Sequence, residues 1–390
     1  MLFVDEVFLQ GKKVLVRVDF NVPITNSEIQ DDSRIRASIP TLKYILDQGG
    51  KLVLCSHRGK PKGKFHQDLS LKPVAHRLQE LLKQEVSMAT DCIGEEVKYM
   101  LEDLQPGEVL LLENLRFHPG ETDNEPDFSK QLAELAEVYV NDAFGVVHRS
   151  HASVQGITKY MQSVTAGFLI KKEMQYLHKA LSSPEHPYVL ISGGAKVSTK
   201  LGILNNLMEQ VDRIIVGGGM ANTFRKAQGY KVGLSTTEDD LIEDAQKIMD
   251  KAKKNNISFY LPVDYVTASD LQASQPSGIF PYQNVADKDM ILDTGPASHT
   301  LFSEVLKEAK TVVWNGPMGV FENPTFSQGS VGMTQTVANL QATTIVGGGD
   351  TDSLVHNCGV VDQIDFISTG GGSFLEFLEG KELPGLKALE

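Results

Sequence analysis

Two glycine turns carry the residues best suited to chemistry. In YVLISGGAKVSTK, Tyr188 to Lys200, a β-branched apolar run ends, two glycines turn the chain, and Lys196 and Lys200 follow. In TTIVGGGDT, Thr343 to Thr351, a similar run ends on three glycines and the carboxylate of Asp350. Glycine lets a ligand reach the backbone because no Cβ stands in the way. Amides at a helix start point outward, and the helix dipole there favours negative charge. Two lysines four apart share one face of a helical turn and could meet the same anion. Asp350 could hold Mg2+ that bridges nucleotide phosphates, since magnesium takes few protein carboxylates plus phosphate oxygens. Each turn also has a plainer reading. SGGAKVSTK could be a tight packing turn with surface lysines, and Asp350 an N-cap for a helix starting near Ser353. RIIVGGGMANTF (Arg213–Phe224) and FISTGGGSFLEFLEG (Phe366–Gly380) repeat the pattern. Several such turns in one half, two with charges suited to Mg2+–nucleotide, favour the phosphate reading.

The first half offers a different chemistry. Seven of the nine arginines (17, 34, 36, 58, 77, 116 and 149) lie in the first 149 residues, whereas 23 of the 34 glycines follow residue 186. Arginine is the better fork for carboxylate and phosphate. In VLVRVDFNVP, Val14 to Pro23, Arg17, Asp19 and Asn21 share one side of an apolar strand and its exit. Polar groups there must pair with each other or with a ligand at the strand's C-terminal end. Further anion-binding candidates follow other strands: Arg34 and Arg36 in SRIRAS, and His57, Arg58 and Lys60 in SHRGKPKG. To these are added Arg116 and His118 in ENLRFHPGE, and His148, Arg149 and His151 in NDAFGVVHRSH. The pattern points to a pocket for a small anion.

The elements that must position these residues alternate along the chain. Strands are expected at Val14–Val18, Leu52–Ser56, Val109–Leu112 and Val138–Val140, then at Val189–Ser192, Arg213–Val216, Ser258–Pro262, Thr311–Trp314, Thr344–Val346 and Phe366–Ser368. Helical patterns lie between them: Ile35–Gln48, Leu71–Gln84, Phe128–Ala136, Lys200–Glu209, Asp239–Asn255, Ser298–Ala309 and Ser330–Asn339. Strands apolar throughout, separated by helices, imply parallel sheets covered on both faces, hence the doubly wound α/β class, here twice. Val164–Leu181 reads as one helix, and the prolines of SSPEHP after it make a domain junction.

Composition bounds the function. A formal charge of −13 argues against nucleic-acid binding. No run approaches the ~18 apolar residues of a membrane span. The acidic start MLFVDEVF does not read as a signal peptide. Cys55, Cys92 and Cys358 lie far apart, which excludes a disulfide framework and reads as small buried residues in a reducing, cytoplasmic compartment. There is no GxxxxGK[ST], GxGxxG, HExxH or GxSxG, and no kinase HRD or DFG pair. Two other classes stay in view. A nicotinamide dehydrogenase needs a GxGxxG that is missing. A non-catalytic anion-binding protein leaves GGAKVSTK and GGGDT together unaccounted for.

VLVRVDFNVP, ENLRFHPGE, NDAFGVVHRSHAS, GGAKVSTK, WNGPMGVFE, VGGGDT and STGGGS…LEFLEG together resemble the phosphoglycerate kinases, over residues 5 to 380. The resemblance implies two Rossmann-like domains joined by a long helix. Their expected limits are 1–165 for the phosphoglycerate-binding domain, 166–187 for the helix and link, 188–370 for the nucleotide-binding domain, and 371–390 for a tail returning to the first. It implies a monomer that transfers phosphoryl reversibly between ATP and the carboxylate of 3-phosphoglycerate, giving ADP and 1,3-bisphosphoglycerate, with Mg2+. By motif position, Asp19, Phe20, Asn21, Arg34, His57, Arg58, Gly59, Lys60, Arg116 and Arg149 would bind phosphoglycerate. Gly194, Ala195, Lys196, Lys200, Gly217, Gly218, Gly219, Gly295, Pro317, Val320, Glu322, Gly348, Gly349, Asp350 and Thr351 would bind nucleotide, with Asp350 on the metal. Arg34, Lys196, Lys200, Gly371 and Gly372 would meet the phosphoryl in flight. Two positions depart from the family's pattern. SHRGKP stands where it has SHLGRP, so Arg58 replaces leucine and Lys60 replaces the two-pronged arginine. Ser373-Phe374 stands where it tends to have Ala-Ser.

Overall fold

The computed structural model describes all residues, Met1–Glu390, as two compact units. Unit 1 comprises Met1–Gln175 with Glu382–Glu390, and unit 2 comprises Tyr176–Lys381.

Unit 1 is built on six parallel strands: β1 (Lys13–Val18), β2 (Lys51–Cys55), β3 (Ser87–Met88), β4 (Val109–Leu111), β5 (Val138–Asp142) and β6 (Val164–Ala166). Their spatial order is β3-β4-β2-β1-β5-β6. The central strands are buried on both faces, as their unbroken apolar sequences require. Helices Ser33–Asp47 and Lys72–Leu82 lay Ile35, Leu42, Ile45, Val74 and Leu78 onto the core formed by Val14, Val16, Leu52 and Leu54. The strand order reverses beside β1, and ligands of open α/β sheets bind outside the carboxyl ends of the strands at such a point.

Unit 2 repeats the plan with β7 (Tyr188–Ser192), β8 (Arg213–Val216) and β9 (Ser258–Tyr260). An antiparallel set follows, β10 (Asp264–Ala268), β11 (Gly278–Pro281) and β12 (Met290–Thr294), and then β13 (Thr311–Asn315), β14 (Thr343–Gly347) and β15 (Phe366–Ser368). The parallel sheet runs β9-β8-β7-β13-β14-β15, and the antiparallel one β11-β10-β12. Here the order reverses between β7 and β13.

Several expectations are corrected. Val164–Leu181 is two elements, β6 and a helix over Phe168–Ser182. The break falls at Gly167, where a Cβ would stand 2.1 Å from Asp142 Oδ1. That carboxylate accepts the Leu169 amide at 2.9 Å, and so caps the helix after the break. The helix itself crosses the division between the units at Gln175 and Tyr176. Residues 371–381 stay with unit 2, because the helix Gly372–Leu378 packs on the helix Leu201–Leu207 and Leu378 O accepts from Asn206 Nδ2 at 2.8 Å. Only Glu382–Glu390 belong to unit 1, held by Gly385 N donating to Val147 O at 2.8 Å. The antiparallel set was missed because its strands lie in polar, glycine- and proline-punctuated sequence with no unbroken apolar run.

Candidate functional site

In unit 2 the strand ends at the switch point frame two cavities. One, of about 370 Å3, is lined by Gly194, Lys196, Lys200, Asn315, Gly349 and Gly371 among others. The second, of about 320 Å3, is walled by Gly219, Leu271, Met290, Leu292, Val320 and Glu322 among others. Gly194, Ala195, Lys196, Pro317 and Asp350 line both, so the two form one groove. Its first part is cationic with bare backbone, and its second is apolar with a carboxylate at the edge. That is the division a nucleotide demands, phosphates at one end and nucleoside at the other.

The turn after β7 is not a helix. Lys200 is the N-cap of Leu201–Leu207, and its amide donates to Val197 O at 2.8 Å. Both lysines nevertheless line the first cavity, Lys196 exposed and Lys200 buried. Lys200 Nζ donates to Asn315 Oδ1, while Asn315 Nδ2 donates to Gly347 O at 2.5 Å. Burial holds the Lys200 ammonium below the usual lysine range, with Asp350 and Glu379 acting the other way. The turn after β14 leads into a helix over Gly349–Asn357 with Gly348 as N-cap, so Asp350 lies in the first turn. The Asp350 side chain is exposed and accepts no hydrogen bond from the chain, which removes the N-cap reading. Thr351 is buried, and its Oγ1 accepts the Gly316 amide at 2.8 Å, tying this turn to the end of β13.

Some expected nucleotide residues lie elsewhere. Gly217 sits against the Met318 sulfur, and Gly295 against the Asp264 carboxylate before the helix Pro296–Leu306; neither lines the groove. Gly371 lines the first cavity, while Gly372 begins the helix behind it. Sequence reasoning missed Asn315, Asn222 and Tyr265. The last two line the second cavity, each with one buried polar atom, Asn222 Oδ1 and Tyr265 Oη, unpartnered within the chain. Asn315 follows the only tryptophan, and a buried amide at a strand end is the signal that could have found it.

In unit 1 the expected anion residues converge through a chain of hydrogen bonds. Asp19 Oδ2 accepts from Arg34 Nη1 at 3.1 Å, and Asn21 O accepts from the same nitrogen at 3.3 Å. Asn21 Oδ1 accepts the Gly59 amide at 2.9 Å, and Gly59 O accepts from Arg116 Nη1 at 2.8 Å. Arg17 is wholly buried. It donates to Ser153 Oγ at 2.8 Å and lies 3.9 Å from Glu121, which also accepts from Ser153 Oγ. Arg17 Nη2 is 3.2 Å from His57 Nδ1. A guanidinium only donates, so Nδ1 is the acceptor and Nε2 carries the His57 proton.

The electrostatics describe a site short of negative charge. Burial and then Arg17, Arg116, His151 and Arg34 hold His57 well below the usual histidine range. His151 is pushed down to about 3 by burial, then by Arg116, Arg17 and Arg149. Even Arg116 is lowered to about 10, by burial and by Arg17 and Arg149. Arg116 Nε is buried without a partner. Cations that depress one another, with a donor left over, fit an anionic ligand.

Other candidates have different roles. Phe20 is core, and its amide donates to Ser56 Oγ at 2.9 Å. Arg58, expected with the phosphoglycerate residues, is turned to backbone carbonyls instead. Its Nη1 donates to Asp68 O at 2.6 Å and Ser70 O at 3.1 Å, which staples the 66–70 loop. Lys60 and Arg149 are exposed. Arg36 and Arg77 pair with Asp32 at 2.8 and 2.7 Å, and His118 pairs with Asp91 at 2.6 Å.

The family model of phosphoglycerate kinase matches residues 4–381. The chain is 53% identical over 390 residues to the phosphoglycerate kinase of a Geobacter species, covering all of this chain and 98% of that one. It is 54% identical over 383 residues to that of a Nitratiruptor species, covering 97% and 96%. Among solved structures, phosphoglycerate kinase from Coxiella burnetii superposes with a TM-score of 0.90 at 40% identity, and that from Pyrococcus horikoshii OT3 with 0.87 at 31%, each over 100% of this chain and 98% of the other. With matches that run through both sheets and every turn described above, the chain belongs to the phosphoglycerate kinase family.

Proposed function

We infer that the arginine cluster of unit 1 holds 3-phosphoglycerate and the groove of unit 2 holds ADP or ATP. The reaction is reversible phosphoryl transfer between ATP and the carboxylate of 3-phosphoglycerate. The observation that carries the residue assignment is the pairing, in one chain, of a cationic cluster with an orphaned Arg116 Nε and a glycine-walled groove that ends on Lys196, Lys200 and Asp350.

The attacking group is a carboxylate, ionised at neutral pH, so no general base is required. That agrees with His57 and His151 being held neutral by burial and by neighbouring cations. What the residues must supply is alignment and positive charge. Arg116 and the His57 Nε2–H serve the phosphoglycerate, and Asp19 and Asn21 hold Arg34 and Gly59 in place around it. Arg34, Lys196 and Lys200 are the cations for the phosphoryl group in transfer. Gly218, Gly219, Pro317 and Val320 line the nucleoside end, with Glu322 for the ribose hydroxyls.

The donor set fits magnesium. A single exposed carboxylate with no partner in the chain, beside bare backbone, suits an ion that keeps its waters and takes phosphate oxygens. Asp350 would hold it, and when bound it offsets charge on the nucleotide phosphates. The chain is read as a monomer, since each substrate site is built from its own residues. Three free thiols fit a reducing cytoplasm, and no helix is long and apolar enough to cross a membrane. A coupled assay tests the reading. ADP should form only when 3-phosphoglycerate, ATP and Mg2+ are all present, and turnover without 3-phosphoglycerate would contradict it.

A further inference from the structure

In unit 1, two loops bring three unlike donors together. Asp91 and Cys92 follow β3, and His118 closes the turn Leu115–Phe117 that follows β4. Their carboxylate oxygen, sulfur and imidazole nitrogen all lie within 4.8 Å of one another. Asp91 Oδ1 accepts from His118 Nε2 at 2.6 Å and from the Cys92 amide at 2.7 Å. The loops are tied by Glu113 N donating to Asp91 O at 3.3 Å, and the His118 ring lies 5.3 Å from that of Phe128. Cys92 is buried at the floor, while the Asp91 and His118 side chains, 48% and 29% exposed, open to solvent. The arrangement is a cup with sulfur at its base and nitrogen and oxygen at its rim.

We propose that Asp91, Cys92 and His118 bind one transition-metal ion of the Zn2+ class. Thiolate, imidazole and carboxylate are the donor set of zinc, whereas magnesium prefers oxygen alone. With zinc bonds of ~2.0–2.3 Å in a tetrahedron, Asp91 Oδ1 and His118 Nε2, now 2.6 Å apart, must separate a little, and all three donors already lie within 4.8 Å of one another. On binding, the proton leaves the Cys92 sulfur for solvent as the metal–sulfur bond forms. The proton on His118 Nε2 is likewise released or moved to Nδ1, so that Nε2 can ligate. Three protein ligands leave a fourth position for water. His118 lies two residues beyond Arg116, so a bound ion would pin the segment that carries a substrate arginine.

The test uses the full chain, stripped of metal by chelator and titrated with Co2+ alone. One equivalent should bind with a thiolate-to-cobalt charge-transfer band; Zn2+ should displace it, and excess Mg2+ should not. Cys92→Ser should abolish the band. His118→Asn, at a partly exposed position, should weaken Co2+ binding by at least ~10-fold, the lower end of what loss of even an outer-sphere partner costs. The proposal is overturned if no such band appears, if it survives in Cys92→Ser, or if His118→Asn binds Co2+ as tightly as the parent. Should Cys92→Ser fail to fold, the His118→Asn titration decides alone.

Discussion

Arg116 Nη1 donates to Gly59 O at 2.8 Å while Arg116 Nε, which is buried, has no partner in the chain. The first bond fixes the guanidinium and the second nitrogen is left for a ligand. Replacing Arg116 by lysine keeps a charge but loses the fork. KM for 3-phosphoglycerate should rise by roughly 10-fold or more, the worth of ~1.5–3 kcal/mol for a charged hydrogen bond. KM for ATP should stay near the parent value in steady-state assays.

Arg34 differs, because it is partly exposed and held by Asp19 Oδ2 and Asn21 O. As a cation for the transferring phosphoryl it should act mainly on turnover. Arg34→Ala should lower kcat by ~100-fold or more while KM for nucleotide changes little. Near-normal kcat would remove it from that role.

For Asp350→Ala, the fold should persist, since the side chain is exposed and makes no hydrogen bond to the chain. Mg2+–ADP affinity should fall, with ADP affinity in the absence of Mg2+ nearly unchanged. Calorimetric titration with and without Mg2+ separates the two, and equal loss in both arms would contradict the metal assignment.

Arg58→Leu should weaken the fold more than catalysis. It removes two donors from the Asp68 and Ser70 carbonyls, for a loss of about 1–3 kcal/mol in urea unfolding. KM for 3-phosphoglycerate should move less than in Arg116→Lys. A larger shift in KM would mean that Arg58 reaches the substrate.

Asp293 supplies a pH test. It is buried beside the nucleoside cavity and accepts the Gly329 amide at 2.8 Å and the Thr294 amide at 2.9 Å. Burial nevertheless raises its carboxyl to about 7. The folded chain therefore holds this proton more tightly than the unfolded one. Its contribution is fully present below the unfolded carboxyl value near 4 and is lost as pH rises through about 7. Asp293→Asn cannot titrate. From pH 5 to pH 7 the parent should lose stability relative to that variant by up to ~1.4 kcal/mol per pH unit, read from urea midpoints. Parallel pH curves would show that Asp293 is already ionised when folded.

The sequence made ten of the twelve parallel strands legible because buried strands are apolar throughout, while β3, only Ser87–Met88, is too short to carry a pattern; the turns at β7, β8 and β14 were marked by glycine and charge. It could not separate β6 from the helix Phe168–Ser182, because Val164 and Thr165 suit either element in so short a run; the break depends on Asp142, 25 residues before Gly167. In the site, charged residues announced themselves by type. Arg58 shows the limit of that signal. Its neighbours placed it with the anion residues, but the carbonyls that hold it, at Asp68 and Ser70, carry no mark in sequence. Asn222 and Tyr265 were missed for the same reason: only the fold turns them into one cavity.

The ends of β7, β8 and β13 interlock through atoms that are not there. A Cβ on Gly218 would stand 2.7 Å from Gly194 N, Gly194 O and Pro317 O, and one on Gly316 would stand 2.3 Å from Gly193 O. Gly194, Gly218 and Gly316 all have positive φ as well. Gly218 and Gly316 therefore cannot be explored one at a time, since each is closed by the backbone of another, while Gly194 is restricted by its φ alone. A directed-evolution library aimed at a new base preference should leave this knot untouched and randomise Leu271 and Met290, whose side chains line the second cavity.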